Sequence, residues 1–203
     1  MGNRSSHPQR DVNAEILAAA RECIIERGVT RTTVAEVARR AGAARPTVYH
    51  RYYNVDMLAR AVLTSEVMAL QGGVVHTPST AEELVEQLVL IADRARESDF
   101  LTALVSHDAS LLAEYQFNRL GESQVSAVAA LASLMRNIRR KELHATTPSQ
   151  PMLRDADPDT LAVFTLGIMQ SAVLSAAAIS PHLPPDDTWR RELLAVLKGY
   201  LAP

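Results

Sequence analysis

With 203 residues, 47% of them hydrophobic and 22% charged, the chain is globular rather than disordered and long enough for one large or two small domains. Eight glycines and ten prolines exclude a fibrous or low-complexity protein, and a lone cysteine, Cys23, excludes an internal disulfide framework and a cysteine-based zinc site. The net charge of −2 hides an asymmetry: residues 1–60 hold ten arginines, no lysine and six acids, a balance of +4, which leaves the remainder at −6. That division suggests a polyanion partner for the first sixty residues; an ordinary solvated surface accounts for it equally well. The opening MGNRSSHPQRDVN lacks the apolar stretch of a secretory signal, so the expectation is a soluble, cytoplasmic protein.

The apolar periodicity is helical along almost the whole chain, and no stretch alternates as a strand. A first helix is expected over 12–27, with Val12, Ile16, Ala20 and Ile24 on one stripe and Gly28 as its stop. Thr33-Val-Ala-Glu36 has the spacing of a capping box and opens a second helix that buries Val34, Val37, Ala38 and Ala41 and ends at Gly42. A third short helix fits 45–52, with Pro46 in its first turn. Asn54 then caps a fourth helix that runs to about residue 71.

Thr80 and Glu83 form another capping box for a helix to about 97, Asp99 caps a segment through 106, and 108–117 is expected to be helical. A long helix over 123–142 carries Val125, Val128, Ala132, Met135 and Ile138. A polar, proline-containing loop spans 144–156, and Asp157-Pro158 starts a helix that runs to about 180. A last helix, 187–201, sets Trp189, Leu193, Val196, Leu197 and Tyr200 on one side. The uncharged stretch Thr160–Pro181 raises a membrane span, but its Ala, Ser, Thr and Gln170 and its lack of a basic flank fit a core or interface helix better. Gly167, Ser171 and Ser175, four apart, allow another helix to approach closely. The expected fold class is all-α.

Residues 33–52 read helix, glycine-containing turn, helix, the spacing of a helix-turn-helix whose second helix enters the DNA major groove. Val48 is placed to face the core, leaving Arg45, Thr47, Tyr49, His50 and Arg51 for DNA. The run GVTRTTVAEVARRAGAARPTVYHRYYNVDML resembles the DNA-binding domain of the TetR family of bacterial transcriptional regulators. Matching positions include Gly28, Thr33, Val34, Val37, Ala38, Ala41-Gly42, Thr47, Tyr49, Tyr52 and Leu58, and ILAAARECIIERG is similar to that family's first helix. The resemblance implies an N-terminal three-helix DNA-binding domain over 11–53 behind a flexible basic arm, 1–10, and a helical ligand-binding and dimerisation domain over 54–203.

The resemblance also assigns roles. Thr33 and Tyr49 would hold DNA phosphates; Arg45 would pair with a guanine edge, with Thr47 and His50 as further base-edge candidates. Competing readings stand beside these: a plain helix cap for Thr33, packing against the first helix for Tyr49, and phosphate contact without base reading for Arg45. Arg39 and Arg40 fit a solvated or phosphate-facing surface. Two departures from the family pattern remove contacts: Ala44 stands where a serine is common and Val55 where a lysine is usual, with Arg45, Arg51, Arg4 and Arg10 as compensating charge.

One short recognition helix reads only a few base pairs, so a twofold dimer on a near-palindrome is expected. Residues 157–180 and 187–201 are its interface candidates, and the resemblance implies a four-helix interface built from them. The family further implies a small-molecule effector within roughly 80–143. Phe100, Phe117, Met135, Phe164 and Met169 are candidate pocket walls and His107, with Asp108, a candidate polar anchor; core packing and a surface histidine are the competing readings. Six scattered histidines give no metal-ligand spacing, and neither a cofactor nor a catalytic constellation is expected. A carrier of apolar molecules would explain the body but not residues 33–52.

Overall fold

The computed structural model describes residues 11–72, 76–110, 112–113, 120–145 and 152–202. The arm 1–10, with Arg4 and Arg10, lies outside them, as do Phe117 and half of the helix expected over 108–117. Among the described residues there are nine α-helices and no strand: α1 Val12–Arg27, α2 Val34–Arg40, α3 Arg45–Arg51, α4 Val55–Gly72, α5 Ala81–Arg96, α6 Asp99–His107, α7 Glu122–His144, α8 Pro158–Ile179 and α9 Thr188–Leu201. A 3₁₀ turn, Ser180–His182, follows α8.

Short polar side chains at the caps set where the helices begin. The Thr33 hydroxyl accepts from the Glu36 amide at 3.2 Å, Thr80 from Glu83 at 3.1 Å, Asn54 from Met57 at 2.8 Å and Asp157 from Thr160 at 2.8 Å. Such a bond satisfies one of the four amides a helix leaves free at its start. Two expectations need correction, and the start of α9 adds a cap that was not expected. The Glu36 carboxylate does not close the capping box but turns to Arg27 Nη1, 2.9 Å away. The cap of α6 is Ser98, whose hydroxyl accepts from Leu101 at 3.4 Å, and Asp99 is already the first helical residue. Asp187 makes no side-chain cap on α9; Asp186 accepts from the Thr188 amide at 2.9 Å instead.

The chain divides into two compact units. The first comprises residues up to Glu66 together with Ala103–Ala109, and the second comprises Val67–Thr102 with everything from Ser110 on. In the first unit, α2 packs on both α1 and α3. Ile16, Ala20, Cys23 and Ile24 of α1, Val34, Val37 and Ala38 of α2 and Val48 of α3 are buried. Each large apolar side chain so removed from water contributes about 1.5–3 kcal/mol before entropy. The turns rely on glycine twice, Gly28 after α1 at φ +81° and Gly42 after α2 at φ +61°, a region other residues enter only with strain. Cys23 is fully buried; desolvation raises its thiol pKa, with nearby Arg40 opposing.

In the second unit, α8 packs against α5, α7 and α9. Leu84, Leu88, Met135, Ile138, Leu161, Met169, Trp189, Leu193 and Leu197 belong to one apolar core. The segment after 151 is fastened to that core by polar bonds. The buried Glu142 carboxylate accepts from the Leu153 amide at 3.1 Å, and the Arg154 amide donates to the Leu201 carbonyl at 2.7 Å. Arg139 Nη2 donates to the carbonyls of Arg154 and Ala156, both at 2.7 Å. By length and composition α8 could cross a membrane, but Leu161, Ala162, Thr165, Met169 and Ala176 run inward. Its other side stays exposed, with Phe164 61% accessible. The expected stripe of α9 also splits: Trp189, Leu193 and Leu197 point inward and Val196 outward, at 51%. Trp189, Leu193, Leu197 and Leu201 each step about 40° round the helix, so the buried side drifts away from Val196, which is left on the Trp189 edge of the stripe.

Candidate nucleic-acid interface

The α2–α3 pair positions its side chains through one buried anchor and one tether. Val48, fully buried, fixes the inner side of α3. At its end, the Tyr52 hydroxyl donates to Asn13 Oδ1 at 2.8 Å and ties α3 to α1. The opposite side then faces water: Arg45, His50 and Arg51 are exposed, Tyr49 is 48% accessible and Thr47 half-buried. Ala44, at the N-cap of α3, makes no side-chain bond, so its amides rely on other partners. Thr33 is exposed while capping α2, which leaves its hydroxyl accessible from outside. Of the exposed polar row, only Arg45 lies next to this bare cap; Tyr49, His50 and Arg51 lie at the other end of α3.

Ion pairing sorts the arginines of this unit into two groups. Arg21 Nε meets Glu66 Oε1 at 2.6 Å, Arg27 is bonded to Glu36, and Arg40 grips Glu26 with two bonds of 2.7 and 2.8 Å. That fork holds the Glu26 carboxyl below its usual range and pushes Arg40 up from its own. Arg31 spends its Nε on the Arg27 carbonyl at 2.8 Å. Arg39, Arg45 and Arg51, all exposed, carry no ion pair among the described residues. Charge neutralised away from α3 and left unpaired on or beside it is what a phosphate backbone attracts. Arg39 and Arg40 therefore part company, the first open and the second engaged.

One polar group in this unit, read from sequence with His107 as a candidate effector anchor, makes a different contact. Asp108, 5% exposed, places its carboxylate on the α1–α2 turn: Oδ2 accepts from the Val29 amide at 2.7 Å, and Oδ1 from the amide and hydroxyl of Thr30, both at 3.3 Å. The contact spans 79 residues, so no local pattern announces it.

The effector candidates are not gathered in one place. Met135 and Met169 sit in the common core of the second unit, whereas Phe164 lies outside, its ring 6.4 Å from that of Tyr200. Phe100 is fully buried on α6, and His107, on the same helix, is exposed. Thr165 is buried beside Leu161 and Met169 on α8, and its hydroxyl has no hydrogen-bond partner among the described residues. An open cleft of about 520 Å³ lies between α5 and the start of α9, lined by His76, Glu83, Glu86, Asp187, Arg190 and Arg191 over Leu90 and Leu194. Its walls carry both signs of charge. No group of three or more potential metal ligands occurs among the described residues.

Comparison with known proteins matches this geometry. Residues 16–62 fit the family model for bacterial regulatory proteins of the tetR family. An uncharacterised HTH-type transcriptional regulator of Mycobacterium bovis is 34% identical over 196 residues, 97% of each chain. Two solved structures share the fold. The transcriptional repressor QsdR of R. erythropolis has a TM-score of 0.62 at 14% identity, covering 96% of both chains. SmeT in complex with triclosan has 0.61 at 20%, covering 96% of this chain and 93% of that one. The chain belongs to the TetR family of transcriptional regulators, with a helix-turn-helix DNA-binding domain at its N-terminus.

Proposed function

We propose that the protein is a cytoplasmic, homodimeric repressor that leaves a near-palindromic operator when a small, mainly apolar molecule binds its helical body. The observation that carries the DNA half of this reading is the polar side of α3, where Arg45, Tyr49, His50 and Arg51 stand exposed and the two arginines have no ion pair among the described residues. Arg45, Thr47 and His50 read base edges; Thr33, Tyr49 and Arg51 hold phosphates and fix the register. Two such helices must sit about 34 Å apart to meet successive major grooves, which requires a twofold partner. The exposed apolar side of α8 and α9, with Val163, Phe164 and Val196, supports residues 157–180 and 187–201 as that interface.

The effector site belongs in the body, beside Met135, Met169 and Thr165. An orphaned, fully buried hydroxyl in an apolar core asks for a polar partner, and methionines adapt their shape to a guest. A neighbour of the same fold carries triclosan. Release then follows if the guest prefers an arrangement of the dimer whose two recognition helices no longer match the groove spacing, with α4 linking the domains.

The test is selection of binding sites from genomic fragments with the purified protein, followed by fluorescence anisotropy on the winning duplex. A near-palindrome bound by the wild type and lost by Arg45→Ala is expected. Absence of any enriched sequence across a salt titration would leave a regulator that needs its ligand to bind DNA, or a carrier of apolar molecules.

A further inference from the structure

We propose that Asp108 is a positioning residue for operator binding, supplied from outside the helix-turn-helix. The proposal rests on the reading of α3 as the DNA-contacting helix. Between the end of α1 and the cap of α2 the chain has only Gly28 to Thr32, and these five residues determine the direction in which α2 leaves. They are unusually well held. The Gly28 amide closes α1 on the Ile24 carbonyl at 2.8 Å, and the buried Thr32 hydroxyl donates back to the Gly28 carbonyl at 2.8 Å. The Thr32 amide donates to the Val29 carbonyl at 3.1 Å, and the Asp108 carboxylate takes three further donors, the amides of Val29 and Thr30 and the Thr30 hydroxyl.

The fit is close on the other side too. A Cβ added to Gly28 would stand 2.7 Å from Asp108 Oδ2 and 2.8 Å from His107 Cβ, nearer than atoms tolerate. Gly28 is thus required twice, for its φ of +81° and for the room it leaves the carboxylate. No cation pairs with Asp108 among the described residues, so hydrogen bonds alone hold a carboxylate away from water. Burying such a group is costly unless its bonds are well made. An apolar residue at the end of α6 would fill space without taking three donors from one turn; the carboxylate defines the turn's geometry. The helix that ends just before this residue, α6, begins in the second unit, since the division falls between Thr102 and Ala103. Through Asp108 the last turn of α6 belongs to the DNA-binding unit and sets how α2 and α3 are presented.

The test uses full-length Asp108→Ala, Asp108→Asn and Thr30→Val on the duplex selected by the wild type and on a series of that duplex with altered half-site separation. Operator affinity of Asp108→Ala is expected to fall about tenfold or more, the loss of hydrogen bonds to a charged group. Discrimination between correct and shifted half-site separations is expected to flatten at a temperature well below its melting midpoint. Asp108→Asn, which keeps an acceptor for Val29, restores part of both, and Thr30→Val loses less than either. Simple destabilisation would lower the midpoint and leave the spacing preference intact. Binding of Asp108→Ala within twofold of wild type, or an unchanged spacing preference, would overturn the proposal. If Asp108→Ala does not fold, the Asn and Val variants decide by the same two readings. A wild type that selects no duplex fails the DNA reading itself, which is a distinct result.

Discussion

On α3 the exposed side chains include Arg45, Tyr49, His50 and Arg51; on α8 and α9 the exposed large apolar ones are Val163, Phe164, Ile179 and Val196. Each set sits on a helix whose other side is anchored in a core, by Val48 in the first unit and by Leu161, Met169, Leu193 and Leu197 in the second. The α3 surface costs nothing in water and gains only when a polyanion releases counterions to it. The α8–α9 surface is unfavourable in water from the start and gains by being covered. One binding event should therefore weaken steeply with salt, and the other should be nearly indifferent to it.

The sharpest way to break this comparison is to put a charge on the apolar side. Phe164→Glu is expected to weaken self-association by about 3–5 kcal/mol, the cost of an uncompensated charge in a desolvated contact, read by sedimentation at several protein concentrations. Operator binding should fall with it. Arg45→Ala should cost about 1–3 kcal/mol of operator affinity and leave the dimer intact. If Arg45 touches phosphate, the log–log salt slope also becomes shallower by about 0.9, which separates the two readings of that residue. Arg39→Ala is expected to weaken DNA binding modestly and Arg40→Ala hardly at all, because the Arg40 guanidinium is already occupied by Glu26. Equal effects in anisotropy would show that the sorting of arginines is irrelevant to DNA.

The smallest effect concerns the start of α8. The Thr160 amide and hydroxyl hold the Asp157 carboxyl below the ordinary aspartate range. A lowered carboxylate pKa stabilises the fold above the unfolded value of about 3.9, and that contribution is lost as pH falls through the lowered one. Asp157→Ala should therefore melt below the wild type at neutral pH, and the gap should close as the pH drops beneath about 3.9.

Much of this was legible from local pattern. Capping residues such as Thr33, Thr80 and Asp157 announce helix starts because their bonds reach only three residues ahead. Val48 and the polar row around it follow from the helical repeat, and the helix-turn-helix follows from spacing. Long-range partners were not legible. Glu36 fits a capping box by position yet turns to Arg27, since a strong cation nearby outbids a backbone amide. Nothing near Asp108 in the sequence points to Val29, and nothing near Glu142 points to a buried bond with Leu153. The outward turn of Val196 was not legible, because the helical repeat places it beside Trp189 and only packing decides which edge of the apolar stripe meets the core.

Cys23, fully buried with its thiol pKa raised by desolvation, gives the molecule a built-in clock. Only the thiolate reacts with alkylating reagents, so a protonated, enclosed thiol stays silent until the helices around it part. With one cysteine in the chain, the rate of labelling counts openings of the first unit alone, without any engineered probe. Cysteines introduced elsewhere for dyes or spin labels would react first, against a dark background.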